Sequence, residues 1–265
     1  MKTKTKSVKL LAWGLLAVGL LAPATNAGEP VAPAPGAPAE SHSGWEFSIT
    51  PYAPLMGLKG TMGISPFLTD VDLPFNKILS HLDGAFTSYL QARNDRWSIT
   101  GDFVWMKLSA SIMPNPITSI GLREEETMGS LALGYSVVRT NSTTVDLLAG
   151  AAYTGLDVDI TPTVLGFPGL SGSRSGSKDW IEPFVGVAFQ QRLSDQWRIF
   201  GRADVGGFSG VSDEYWQATV GVGYMFNDHV GLALAYRWIS MDYHKGGFVY
   251  DTISSGPCLG LTFRF

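Results

Sequence analysis

The sequence predicts an all-β protein, an antiparallel up-and-down transmembrane β-barrel of about ten strands, and three observations carry that prediction. From Trp45 onward, large apolar residues alternate with small or polar ones at period two. The second face of each stretch is rich in Gly, Ala and Ser, not in the Lys and Glu that coat the outside of a soluble sandwich. Tight polar turns also alternate with longer connections, as short periplasmic turns alternate with surface loops.

The alternation is clearest near residues 229–239. There Val230, Leu232, Leu234, Tyr236 and Trp238 share one face, and Gly231, Ala233, Ala235 and Arg237 share the other. In the same way Trp216, Ala218, Val220, Val222 and Tyr224 oppose Gln217, Thr219, Gly221 and Gly223. Strands are expected near 45–57, 83–93, 96–110, 122–139, 144–160, 178–193, 197–209, 213–227, 229–243 and 249–265. Asn94-Asp95, Thr140-Asn141-Ser142, Ser194-Asp195-Gln196 and Asn227-Asp228 form the tight turns. Longer loops are expected at about 58–82, 111–121, 161–177 and 244–248. Within the first of these, residues 58–66 can form an extra strand and residues 75–82 read as a short amphipathic helix, so eight and twelve strands are the alternatives. Trp97, Trp105, Trp197, Tyr224, Phe226, Tyr236 and Trp238 fall near strand ends, where interfacial girdles place aromatic residues.

Domain organisation follows from composition. Lys2, Lys4, Lys6 and Lys9 precede an apolar core from Leu10 to Leu21, and small residues lead up to Ala27. This is the pattern of a signal peptide over 1–27, cleaved after Ala27 on export, and its core is too short to span a bilayer. Residues 28–44, rich in Pro and Ala, read as an extended periplasmic linker, which leaves 45–265 for the barrel. The expected location is the bacterial outer membrane, with its lipid as the first partner.

Of 265 residues, 45% are hydrophobic and 16% charged, and the formal net charge is −4 with no basic patch, which argues against a nucleic-acid partner. Cys258 is the one cysteine, so neither an intramolecular disulfide nor a cysteine metal cluster can form. Among Gly and Ser it reads as a small space-filling residue.

The chain closes on Gly260-Leu261-Thr262-Phe263-Arg264-Phe265. Gly260, Phe263 and Phe265 occupy the positions of the signal by which outer-membrane barrels engage the barrel-assembly machinery, whose open strand pairs with an exposed final strand. Cys258 stands where that signal usually has a polar residue, a small departure. Further stretches are WEFSITPYAPLMGLKGTMG from Trp45, SGSKDWIEPFVGVAFQQRLSDQW from Ser171, GRADVGGFSGVSDEYWQATVGVGYMFND from Gly201 and GGFVYD from Gly246. On these the mature chain resembles a family of bacterial outer-membrane β-barrel proteins of unassigned activity, small and porin-like. The resemblance implies fold and location and brings no catalytic residues.

Function must then be sought in the lumen. Arg93, Asp102, Asp146, Glu182, Arg198, Arg202, Asp204 and Arg237 all fall on the inward parity, with mixed signs. A charge in a narrow lumen must pair or stay hydrated. The favoured reading is a structural barrel with a narrow, charge-paired lumen, and the alternative is a narrow channel for ions or small polar solutes. A wide porin needs about sixteen to eighteen strands. Two other classes compete: a rim-located hydrolase and a surface-loop adhesin. Asp242, His244 and Asp251 would gather at the last surface loop, where a His–carboxylate pair can polarise water. His42, His81 and His229 are scattered, and neither metal-ligand spacing nor a phosphate-cradling glycine loop appears. Catalysis and cofactors are therefore not expected. The loop at 161–177 is the candidate contact segment for adhesion.

Overall fold

A computed structural model describes residues 44–65, 67–115, 118–164, 173–208, 210 and 212–265. The expected export segment, and the linker through residue 43, lie outside the described residues. In chain order the elements are β1 (Glu46–Pro54), β2 (Gly57–Ile64), β3 (Phe67–Leu73), α1 (Phe75–Ser80), β4 (Leu82–Asn94), β5 (Trp97–Asn115) and β6 (Thr118–Arg139). There follow β7 (Thr143–Val164), β8 (Arg174–Arg192), β9 (Trp197–Gly206), β10 (Glu214–Met225), β11 (Val230–Lys245) and β12 (Phe248–Arg264). All pairings are antiparallel between neighbours, and β1 closes the ring against β12. Ten strands thus form a closed barrel, and β2 and β3 are two more.

These two have a simple origin. The register against β12 continues unbroken from Ser48↔Arg264 in β1 to Gly57↔Ser255 and Ile64↔Phe248 in β2. β1 and β2 are therefore one long strand interrupted at Leu55-Met56, where Leu55 N–H still donates to the Pro257 carbonyl at 2.8 Å. Its other edge changes partner: β4 pairs with the lower part and β3 with the upper. The chain then returns through α1 to begin β4. Gly60 makes the close approach in this segment: its φ is +147°, and a Cβ there would lie 2.0 Å from the Asp251 carbonyl oxygen.

Two of the expected loops prove to be partly strand. β5 and β6 extend to residues 115 and 118, and β7 and β8 to 164 and 174, which shortens the loops expected at 111–121 and 161–177. A strand spans the membrane in about 9–11 residues, so the 22 residues of β6 and of β7 carry pairing well past the bilayer. Beyond it the outward residues become polar (Arg123, Glu125, Asp157, Asp159, Asp179), and period-two apolar alternation no longer marks the strand.

The barrel is inside-out relative to a soluble protein. Ile181 is 59% exposed and Glu182 beside it 1%; Leu131 is 63% exposed and Ala132 2%. Leu90, Leu147, Val185, Val220, Leu234 and Leu261 continue the exposed apolar belt. So large a continuous apolar surface fits lipid and not water. Aromatic pairs edge it at the turn end, with Trp97 on Tyr135 at 5.0 Å and Trp197 on Tyr224 at 4.9 Å between ring centroids. The turns there are locally tied, as where Asn227 Oδ1 accepts from His229 N–H at 2.9 Å and Val230 N–H at 2.8 Å.

Candidate functional site

The lumen falls into two halves. In the half nearer the turns, inward charges from five strands meet. Arg93 on β4 donates to Ser136 Oγ at 2.8 Å and forms an ion pair with Asp146 on β7, and Ser136 itself donates to Asp146 at 2.5 Å. One layer deeper a ring of bonds crosses the lumen. Asp102 on β5 pairs with Arg237 on β11, and Tyr52 on β1 bridges them, donating to Asp102 at 2.8 Å and accepting from Arg237 at 2.8 Å. Arg237 donates to Gln217 Oε1 at 2.8 Å, and Gln217 donates through Nε2 to Asp204. Asp204 accepts from Arg202 Nε at 2.8 Å, and Arg202 reaches Thr100 at 3.4 Å, back on β5 two residues from where the ring began. Neighbouring strands place Gln217 opposite Asp204, and Thr219 opposite both Arg202 and Arg237, so alternation alone brings these side chains to one level.

The other half is apolar and aromatic. Trp180 stacks on Tyr243 at 4.4 Å, meets Tyr250 edge-on at 5.8 Å, and lies 6.4 Å from Phe248. Leu156, Phe184, Tyr215 and Met241 are buried in the same cluster. Tyr250 donates to Glu126 at 3.0 Å, and Lys178 sits over the Tyr243 ring at 5.8 Å.

The eight charges read from the sequence therefore divide. Arg93 with Asp146, Asp102 with Arg237, and Arg202 with Asp204 are ion pairs with little exposure. Glu182 takes a different role: it accepts from the backbone N–H of Gly207 at 2.8 Å and of Ser212 at 3.1 Å, and from Ser212 Oγ at 2.5 Å, tying down the β9–β10 connection. Arg198 lines the lower lumen and, among the described residues, makes no ion pair. Sequence reading missed Tyr52, Gln217, Thr100 and Glu126, although each shares parity with a charge it named on its own strand or on a register partner. The residues expected to form an assembly signal lie on the closing seam: Gly260 pairs with Tyr52 and Phe263 with Ile49, while Phe265 and Phe47 exchange backbone bonds of 2.9 and 3.4 Å.

At the rim, His244 Nε2 lies 3.3 Å from Asp242 and its Nδ1 3.4 Å from Asp213, with Asp251 paired opposite Asp242. This group stands on the outward parity of β11, since Met241 and Tyr243 turn inward. It faces away from the lumen.

A closed antiparallel barrel with a lipid-facing belt and a polar interior defines a transmembrane β-barrel of the bacterial outer-membrane class, and this chain is one. Comparison with solved structures agrees on the fold. The chain is similar to the outer-membrane protease OmpT from Escherichia coli, with a TM-score of 0.58 and 11% identity over 85% of this chain and 98% of that one. It also matches Neisserial surface protein A, with a TM-score of 0.33 and 13% identity over 84% and 99%. The attachment invasion locus protein Ail of Yersinia pestis, solved with a heparin analogue, matches with a TM-score of 0.35 and 12% identity over 83% and 99%. No protein-family model and no curated protein sequence matches the chain.

Proposed function

We propose that the chain is a structural barrel of the outer membrane, without enzymatic activity, whose lumen is blocked by a charge-paired septum. One observation carries this reading: the bond ring that leaves β5 at Asp102 and returns to it at Thr100. The aromatic cluster above the ring supports it, because solute would have to pass two unlike barriers in series. The outward-facing Asp242–His244 group favours a hydrolase less, since it borders neither lumen cavity. Planar-bilayer recording of the refolded protein tests the proposal. The expected trace is silent, and steady unitary openings would replace this reading with a narrow channel.

Insertion through the final strand is part of the same proposal. Deleting Phe265 should lower the yield of heat-modifiable barrel in the outer membrane while leaving export intact. Undiminished yield would contradict it.

A further inference from the structure

Below the septum the lumen holds a cavity of about 240 Å³. Its lower lining, including Ser48, Thr144, Gln190 and Arg198, comes from strand segments next to the turns, and its upper lining reaches Arg202 and Arg237. Five arginines but only two aspartates line it. Three of those arginines are held by the ion pairs already described. Arg264 lies at the mouth, diagonal to Glu46 across the β1–β12 seam. That leaves Arg198. Its Nε is buried with no hydrogen-bond partner, and among the described residues no carboxylate pairs with it. An uncompensated guanidinium in a confined site is costly unless an anion or water completes it.

The local sequence makes room for this side chain. Gly223 is the register partner of Arg198, and a Cβ there would come within 3.1 Å of Arg198 Cγ. The adjoining wall is apolar. Phe200 lies over Gly221, where a Cβ would meet the ring at 2.5 Å, and Ala233, Ala235 and Met225 also line the cavity. One arginine with free donors beside a flat aromatic and small aliphatic surface matches an anionic head joined to a compact apolar body. The volume lies below the roughly 300–1,000 Å³ of drug-sized sites, so the guest is small.

We infer that this periplasm-side cavity binds a small organic anion, with Arg198 holding its carboxylate, sulfate or phosphate group and Phe200 contacting its body. The site goes beyond the structural role proposed above and does not depend on it, because bilayer recording reads the septum and binding reads the cavity.

Calorimetric titration of the refolded full chain with benzoate, and with its neutral analogue benzamide, tests the inference. Benzoate is expected to bind saturably, one per barrel, at least tenfold more tightly than benzamide. Arg198→Gln should weaken benzoate at least tenfold and leave benzamide unchanged, whereas Arg123→Gln, on the exposed outer face of β6 and outside the cavity lining, should change neither. Ala233→Phe, which fills the cavity, should abolish both and keeps the inference testable should Arg198→Gln fail to refold. Absence of saturable benzoate binding would overturn it, as would equal affinity for benzamide, or benzoate affinity that survives either Arg198→Gln or Ala233→Phe.

Discussion

The two halves of the lumen solve one packing problem with opposite chemistry. Near the turns the interior is crossed by Arg, Asp, Gln and Tyr bonded to one another, and toward the surface it is filled by Trp180, Tyr243, Tyr250 and Met241. The outer surface changes in the opposite sense. Where the lumen is charged, the outside is Leu131, Leu147 and Val185; where the lumen is aromatic, the outside is Glu125, Asp157 and Asp179. Inside lipid, apolar side chains are best placed outward, and the polar residues left over must pair within the lumen. Past the bilayer the strands meet water, and the ordinary rule returns, with aromatics inside and charge outside.

This contrast can be broken by mutation. A large effect should come from the aromatic half. Trp180→Ala removes a buried indole that stacks on Tyr243 and should cost roughly 3–5 kcal/mol, read as a lowered denaturation midpoint of the refolded barrel. Trp180→Phe should retain much of the stability; a cost as large as that of alanine would mean that packing volume is not what matters there. On the lipid side, Leu234→Arg should cost about 2–4 kcal/mol if it lies near the midplane. In the same strand Ala235→Cys should be labelled only by reagents that enter the lumen and Leu234→Cys from the lipid phase, and equal labelling of both from lipid would contradict the register. The smallest effect belongs to the one lumen arginine outside the pairs. Arg198→Gln should shift stability by no more than about 0.5 kcal/mol, since it breaks no ion pair, and a loss comparable to that at Trp180 would place Arg198 in the septum.

How much of this the sequence foretold follows the same division. Within the bilayer each strand has unlike faces, so Leu234 could be set outward and Ala235 and Arg237 inward from alternation alone. Ten strands, their turns and the helix at Phe75–Ser80 were legible on that basis. Above the bilayer the signal inverts, which hid the strand character of residues 111–115 and 161–164 and the inward course of Trp180. Continuing the parity of Arg237 through Ile239 and Met241 to Tyr243 would have found the aromatic cluster. Parity could place Glu182 and Arg198 inside but could not pair them, because Glu182 answers to the backbone of the β9–β10 connection and Arg198, among the described residues, makes no ion pair. β2 and β3 were read as a loop with a possible strand, since Gly57, Gly60 and Gly63 dilute the alternation that the β12 register nevertheless enforces.

The central claim is that the septum is made of charges that are buried together and depend on one another. A double-mutant cycle on Arg202 and Asp204 measures this directly, using Arg202→Ala, Asp204→Ala and the pair in equilibrium unfolding. Arg202→Ala alone should cost roughly 3–5 kcal/mol by leaving Asp204 buried without its cation. Removing both should recover much of that loss, giving a coupling free energy in the range of about 0.5–3 kcal/mol. A coupling near zero, with Arg202→Ala as stable as the wild type, would mean that the two charges are separately hydrated, and the septum would have to be given up for an open, water-filled path.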